Sequence, residues 1–399
     1  MSELAYKIID ADNHYYEPDD CFTRHIEAKY KHKTIRVDRS SADGFGRPYV
    51  ADERLNFFSV GVGDFVGNPG AMKAFFKGET EEGGAVNASG GPAKDRAEFV
   101  SKAPRLKLMD EQGVEAAIMI PTMGVGCEYQ LRRYPELLTP SLRAFNRWLE
   151  EDWGYGQDGR IFSTPMVSLA DLNGAMGELE RLLQQGAKLV VVNTGPVNDK
   201  SPADQYFDPF WARAEEAGIK IVFHIGATPF CEMYGTHWGE TPNPPSHRFS
   251  AFQSYLGIGA RPICDTIAAL IFHNLFDRFP KLQCLIIEHG AAWVKQLLNT
   301  LDKTWRMGDH KTRWMNGKPS LQPSDVFRRN FWIVPFFEDD ITELVATIGA
   351  SQVLNGSDFP HPEGLAWPAE FAEELTQLSA AQSRMIMRDN GAGLLGITT

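Results

Sequence analysis

Short apolar runs recur along the chain, and most are followed by a stretch in which apolar residues return every three or four positions. The runs are Ile8–Asp12, Glu115–Thr122, Ile161–Leu169, Lys188–Asn193, Lys220–Ile225, Leu282–Glu288, Phe331–Phe336 and Val353–Gly356. Most are continuously apolar rather than alternating, which predicts parallel strands buried on both faces. Between them, helical periodicity covers Leu142–Trp153, Leu172–Gln185, Phe207–Ala217, Ile263–Phe279 and Trp293–Arg306. Earlier helices are predicted over Cys21–Tyr30 and Lys94–Gln112, and Ala366–Leu378 and Ala380–Leu394 close the chain. Eight strand–helix units with no second composition regime predict an α/β protein, a single TIM-type (β/α)8 barrel domain over residues 1–399. An open dinucleotide-binding sheet lacks its mark, because no G-x-G-x-x-G follows the first run.

Two long segments interrupt the pattern, at about 37–91 and 227–261. The first is Gly-rich with aromatics set into it, among them Phe45, Tyr49, Phe57, Phe58, Phe65, Phe75 and Phe76. Long segments of that kind are functional lids or disordered insertions; the aromatics favour an ordered lid, which in a barrel overhangs the active face. The second carries Phe230, Tyr234, His237, Trp238, His247, Arg248, Phe249, Phe252 and Tyr255. Trp238 and Arg248 are therefore candidate substrate-binding residues, an aromatic wall and a guanidinium suited to a planar acid. Alternatively these aromatics bury the loop on itself or meet a second copy, and a homodimer is the expected assembly.

Composition narrows the function classes. A net charge of −12 argues against a nucleic-acid surface. No run approaches the ~20 apolar residues of a membrane span, and Met1–Lys7 lacks the apolar core of a secretory signal. Cys21, Cys127, Cys231, Cys264 and Cys284 are scattered without C-x-x-C spacing, as in a reduced cytoplasmic protein.

Chemistry-bearing residues collect where the apolar runs stop. Asp10, Asp12 and His14 stand two apart, hence on one face of an extended strand. K-I-V-F-H-I-G ends at His224, C-L-I-I-E-H-G ends at Glu288 and His289, and V-L-N-G-S-D-F-P-H-P ends at Asp358 and His361. Barrel strands present catalytic groups at their C-terminal ends, and carboxylate and imidazole donors together suit a divalent cation. By alternation, Glu288 is expected to face away from the barrel axis. Asp10 is expected to anchor the barrel, Asn13 and Glu17 to serve the turn, and His361 either to stiffen its loop or to touch substrate.

In this order, D-x-H, V-F-H, E-H-G and G-S-D-F-P-H resemble the amidohydrolase superfamily. The pattern is most similar to the branch of aminocarboxymuconate-semialdehyde decarboxylase and related aromatic-acid decarboxylases. The closing R-D-N-G-A-G-L-L-G-I, Arg388–Ile397, resembles that branch's terminal helix. The resemblance implies one divalent metal held by Asp12, His14, His224 and Asp358. Asp358 would also shuttle a proton, and His289 would polarise or position substrate. Asp12 stands where the commonest pattern has histidine; Zn²⁺ is the first expectation, and the added carboxylate makes Mn²⁺ the alternative. The implied function is non-oxidative decarboxylation of a small aromatic or unsaturated carboxylic acid. Hydrolysis by metal-activated water uses the same residues, and a non-catalytic binding barrel is the third reading.

Overall fold

The computed structural model describes residues 4–55, 63–78, 90–242 and 249–398. Parallel strands form its centre. β1 (Ile8–Tyr15), β2 (Val114–Pro121) and β3 (Ile161–Ser163) pair in the order 1-2-3. β4 (Leu189–Val191), β5 (Lys220–His224), β6 (Cys284–Ile287) and β7 (Phe331–Ile333) form a second parallel sheet in sequence order. Three isolated parallel bridges link further positions: Met166 with Val191, Ile333 with Val353, and Asn13 with Phe359. Strand side chains are buried nearly throughout, as continuous apolar runs require, and they form one core with the surrounding helices.

The expected eighth strand, Val353–Gly356, is the weakest. It holds its neighbours through Leu354 N to Ile333 O (2.8 Å) and Ala11 N to Asn355 O (2.8 Å), without a continuous ladder. Gly356 explains the crowding there: a Cβ would meet Val334 Cγ1 at 2.2 Å and Asp12 Cβ at 2.6 Å. Only glycine lets this segment approach β1 so closely.

Helices follow the strands as the periodicity predicts, with breaks that it does not. The expected Lys94–Gln112 helix is divided at Ser101, which is extended, into α1 (Ala97–Val100) and α2 (Lys102–Glu111). α3 (Pro135–Asp152) starts about two turns earlier than the expected Leu142, using Pro135 at its first position. α4 (Leu172–Gln184) is capped by Asp171, whose carboxylate accepts from Gly174 N. α5 (Asp208–Ala217) ends at Gly218 in the left-handed conformation. α6 (Arg261–Phe272) stops short of Phe279 because Asn274 turns left-handed at φ 60°. α7 (Val294–Arg306) and α8 (Ile341–Ile348) are amphipathic and lay their apolar stripes on the core. Ala28–Tyr30 is all that is helical of Cys21–Tyr30, and Pro368–Leu375 is a 3-10 run. The terminal helix contains a π turn at Met385–Asp389.

Within the first interruption, Arg36–Asp38, Arg47–Val50 and Glu53–Arg54 make a small antiparallel sheet. Phe57, Phe58, His247 and Arg248 lie outside the described residues. By length and composition Ala251–Phe272 could cross a membrane, contrary to the sequence expectation. It is two helices, however, Ala251–Gly257 and α6, and α6 buries Ile263, Ile267, Leu270 and Ile271 in the core.

Candidate metal centre

Asp12 and His14 project from the end of β1, and His224 is the last residue of β5. Glu288 follows β6 directly. One ligand atom from each of Asp12, His14, His224 and Glu288 lies within 4.8 Å of every other. His14 Nε2 is 3.2 Å from Asp12 Oδ1, 3.4 Å from Asp358 Oδ1 and 3.6 Å from Glu288 Oε2. His224 Nε2 is 2.8 Å from Glu288 Oε2 and 3.9 Å from Asp12 Oδ1. A second group, His14, Glu288, Asp358 and His361, overlaps the first.

Glu288 corrects the alternation argument. Its φ of 58° takes the backbone out of the extended conformation just where β6 ends, so its carboxylate turns onto the histidines instead of away. Asp358 is left-handed too, at φ 55°. Non-glycine residues held there cost of order 1 kcal/mol or more and gather at functional sites. The glycine that follows Glu288 and His289, at φ 60°, is the one signal in E-H-G that the chain turns here.

The donor set requires positive charge at its centre. His224 donates Nδ1–H to Ile225 O (2.7 Å), so in the neutral ring Nε2 carries a bare lone pair. That lone pair faces a carboxylate oxygen, and lone pair against lone pair repels unless a proton or cation lies between. Asp12 Oδ1, His14 Nε2 and His224 Nε2 are all buried without a hydrogen-bond partner. Burial and the nearby His361 push His14 down, yet the adjacent carboxylates of Asp12 and Glu288 override them and raise it to about 9. Glu288 moves well below the usual carboxylate range: burial opposes this, but His224 and His14 win. Buried groups of this kind fit a divalent cation in place of the proton.

Asp358 lies on the other side of His14. Burial, and then the carboxylates of Glu288, Glu363 and Asp12, raise its proton affinity well above an ordinary carboxyl's. Its Oδ1 is 2.6 Å from His361 Nδ1, and His361 Nε2 is 3.1 Å from Thr122 Oγ1. Thr122 donates its single hydroxyl proton to Tyr15 O (2.8 Å). It must therefore accept from His361, which fixes the Nε2–H of that ring. Sequence reasoning gave no sign of Thr122.

His289 is buried with both ring nitrogens unpartnered. Burial and the charge of His224 push it down to about 3, so it is a neutral imidazole at physiological pH. Glu17 is no simple turn residue: it is buried and accepts from Met123 N and Gly124 N, each at 3.0 Å. Trp238 ends the 3-10 turn Gly235–Trp238, 76% exposed, with its ring against Phe252.

The amidohydrolase family model matches residues 83–397. The chain is 21% identical over 223 residues to the 2-amino-3-carboxymuconate-6-semialdehyde decarboxylase of Dictyostelium discoideum, a match covering 55% of this chain and 56% of that protein. An amidohydrolase crystal structure from Mycobacterium avium subsp. paratuberculosis K-10 superposes with a TM-score of 0.89 at 37% identity, covering 99% of this chain and all of the other. A dihydroxybenzoic acid decarboxylase from Polaromonas sp. JS666, solved with manganese and 2-nitroresorcinol, shares the fold at a TM-score of 0.59 and 16% identity, covering 98% and 97% of the two chains.

Proposed function

Because the chain belongs to the amidohydrolase family and is a metal-dependent enzyme, we propose that it is a non-oxidative decarboxylase of a small aromatic or unsaturated carboxylic acid. In the same reading the two parallel sheets belong to a (β/α)8 barrel, which the three isolated bridges and the 353–356 run support. The observation that carries the reaction is the adjacency of two unlike groups: buried metal-binding donors without partners, and Asp358 with raised proton affinity beside them.

In this reading Asp12, His14, His224 and Glu288 hold the cation, and Asp358, expected from sequence to be a ligand, serves first as the acid. Exchanging Asp358 for Glu288 keeps the two carboxylates and two imidazoles that the sequence implied, and we read that set as favouring Mn²⁺, the ion in the Polaromonas decarboxylase, over Zn²⁺. The bound ion supplies a fixed positive charge for the substrate's acid end. Asp358 protonates the carbon that loses its carboxyl group: the C–C bond breaks, CO₂ leaves, and the electron pair left on carbon takes the proton. With its Nε2–H fixed by Thr122, His361 accepts at Nδ1 the proton of Asp358 Oδ1, and in this reading that shared proton is the one delivered to carbon. His289, neutral and buried, is placed to donate to a substrate oxygen.

Hydrolysis is the second reading, favoured by the same uncommitted ring nitrogens of His289, which would suit an oxyanion. Manganese-loaded enzyme assayed against aromatic and unsaturated acids for CO₂, and against their esters and amides for cleavage, separates the two. Ester or amide turnover with no CO₂ from any acid overturns the decarboxylase reading.

A further inference from the structure

Behind the metal-binding side chains lies a buried carboxylate that the chemistry does not use. Asp10 is fully buried and stands on β1 two residues before Asp12. Its Oδ1 accepts from Ser357 N (2.9 Å) and Asp12 N (3.3 Å). Its Oδ2 accepts from Ser357 Oγ (2.5 Å) and Asn13 Nδ2 (2.8 Å). A carboxylate has about four lone-pair sites, so these bonds leave Asp10 none for a cation, although it shares a face with Asp12 and His14. Asn13 in turn accepts from Arg105 Nη1, which also reaches His14 O at 2.8 Å. Arg105 is wholly buried on α2 and bonds Glu98 O through Nε (2.6 Å).

The chain Arg105–Asn13–Asp10–Ser357 thus joins both halves of the site. On one side it fixes the backbone carrying Asp12 and His14. On the other it fixes Ser357 at the start of the left-handed turn at Asp358, whose N also donates to Asp12 O (2.8 Å). We propose that Asp10 is a positioning residue that sets cation affinity without touching the cation, by fixing the spacing between the β1 donors and the Asp358 loop. This rests on the reading that the cluster binds a divalent cation.

Asp10→Asn preserves shape and removes the charge; Ser357→Ala removes one hydroxyl, which donates to Asp10 and accepts from Phe359 N (3.1 Å), and keeps the Ser357 N bond to Asp10. Each metal-free variant is checked for a cooperative melt, and Mn²⁺ is titrated against it, free ion being read by electron paramagnetic resonance. Both should bind Mn²⁺ about 10–100-fold more weakly than the parent, the range for partners that orient metal ligands. The double variant should lose less than the sum of the two single losses, since the hydroxyl acts in part through that carboxylate. Folded single variants with Mn²⁺ affinity within twofold of the parent would overturn the proposal, as would strictly additive losses. If Asp10→Asn fails to fold, Ser357→Ala decides alone. A parent that takes up no Mn²⁺ would instead remove the ligand reading, and this proposal with it.

Discussion

Glu288→Gln is the substitution on which the ligand set turns. Glu288 Oε2 is 2.8 Å from His224 Nε2 and 3.6 Å from His14 Nε2, two buried rings, with Glu288 itself 16% exposed. Glutamine keeps the volume but replaces a full negative charge with an amide dipole. Removing one partner from a buried charged cluster costs about 3–5 kcal/mol, which is roughly 10²–10⁴-fold in a dissociation constant. Mn²⁺ affinity should fall by that factor. The metal-free protein should respond differently: Glu288 is among the carboxylates that crowd Asp358, so its loss relieves like-charge repulsion there. A melt of the metal-free variant close to the parent's, together with a large loss of Mn²⁺ affinity, is the expected pair of results. Parent-like Mn²⁺ affinity in folded Glu288→Gln would refute the reasoning and restore Asp358 as the fourth ligand.

Further outcomes follow from the same geometry. His224→Ala should abolish stoichiometric metal, measured by elemental analysis after dialysis against a weak chelator. Metal-loaded Asp358→Asn should retain its ion yet lose about 10²–10⁴-fold in turnover; near-normal turnover would exclude it as the acid. Burial raises Glu17 to about 7 from 4.5. The folded state then binds more protons than the unfolded one between those values, and this residue's contribution to stability falls as pH rises through that window. Glu17→Gln should flatten the fall, which is bounded near about 3 kcal/mol, in melts recorded from pH 4.5 to 7; an unchanged slope would contradict the assignment. Trp238→Ala should shift stability by under about 0.5 kcal/mol, and a raised Michaelis constant would return Trp238 to the substrate pocket.

The strand ends were legible because apolar runs that stop abruptly at acids and histidines leave few other interpretations. Asp12, His14 and His224 stand at such ends in the structure. Glu288 was misread because alternation assumes an extended backbone, and one positive φ reverses which side chain faces the centre. The run at 353–356 was read as a strand from its apolar start, but the close approach that Gly356 permits replaces much of its ladder with contacts to β1. Helix breaks at Ser101 and Asn274 depend on single left-handed or extended residues, which periodicity over a whole window averages away. Thr122 is invisible in sequence for another reason: its role lies in a hydrogen-bond direction across 239 residues of chain.

That distance has a further meaning for how the protein is made. The Asp10–Ser357 bonds span 347 residues, and at 5–20 residues per second the ribosome needs roughly 20–70 s to bridge them. Throughout that interval the nascent chain displays D-x-H without the turn that completes its surroundings. The four proposed ligands are made well before the segment at 357–358 that braces them. Any product truncated before Ser357 carries all seven parallel strands but neither Asp358 nor the Ser357 arm of the brace.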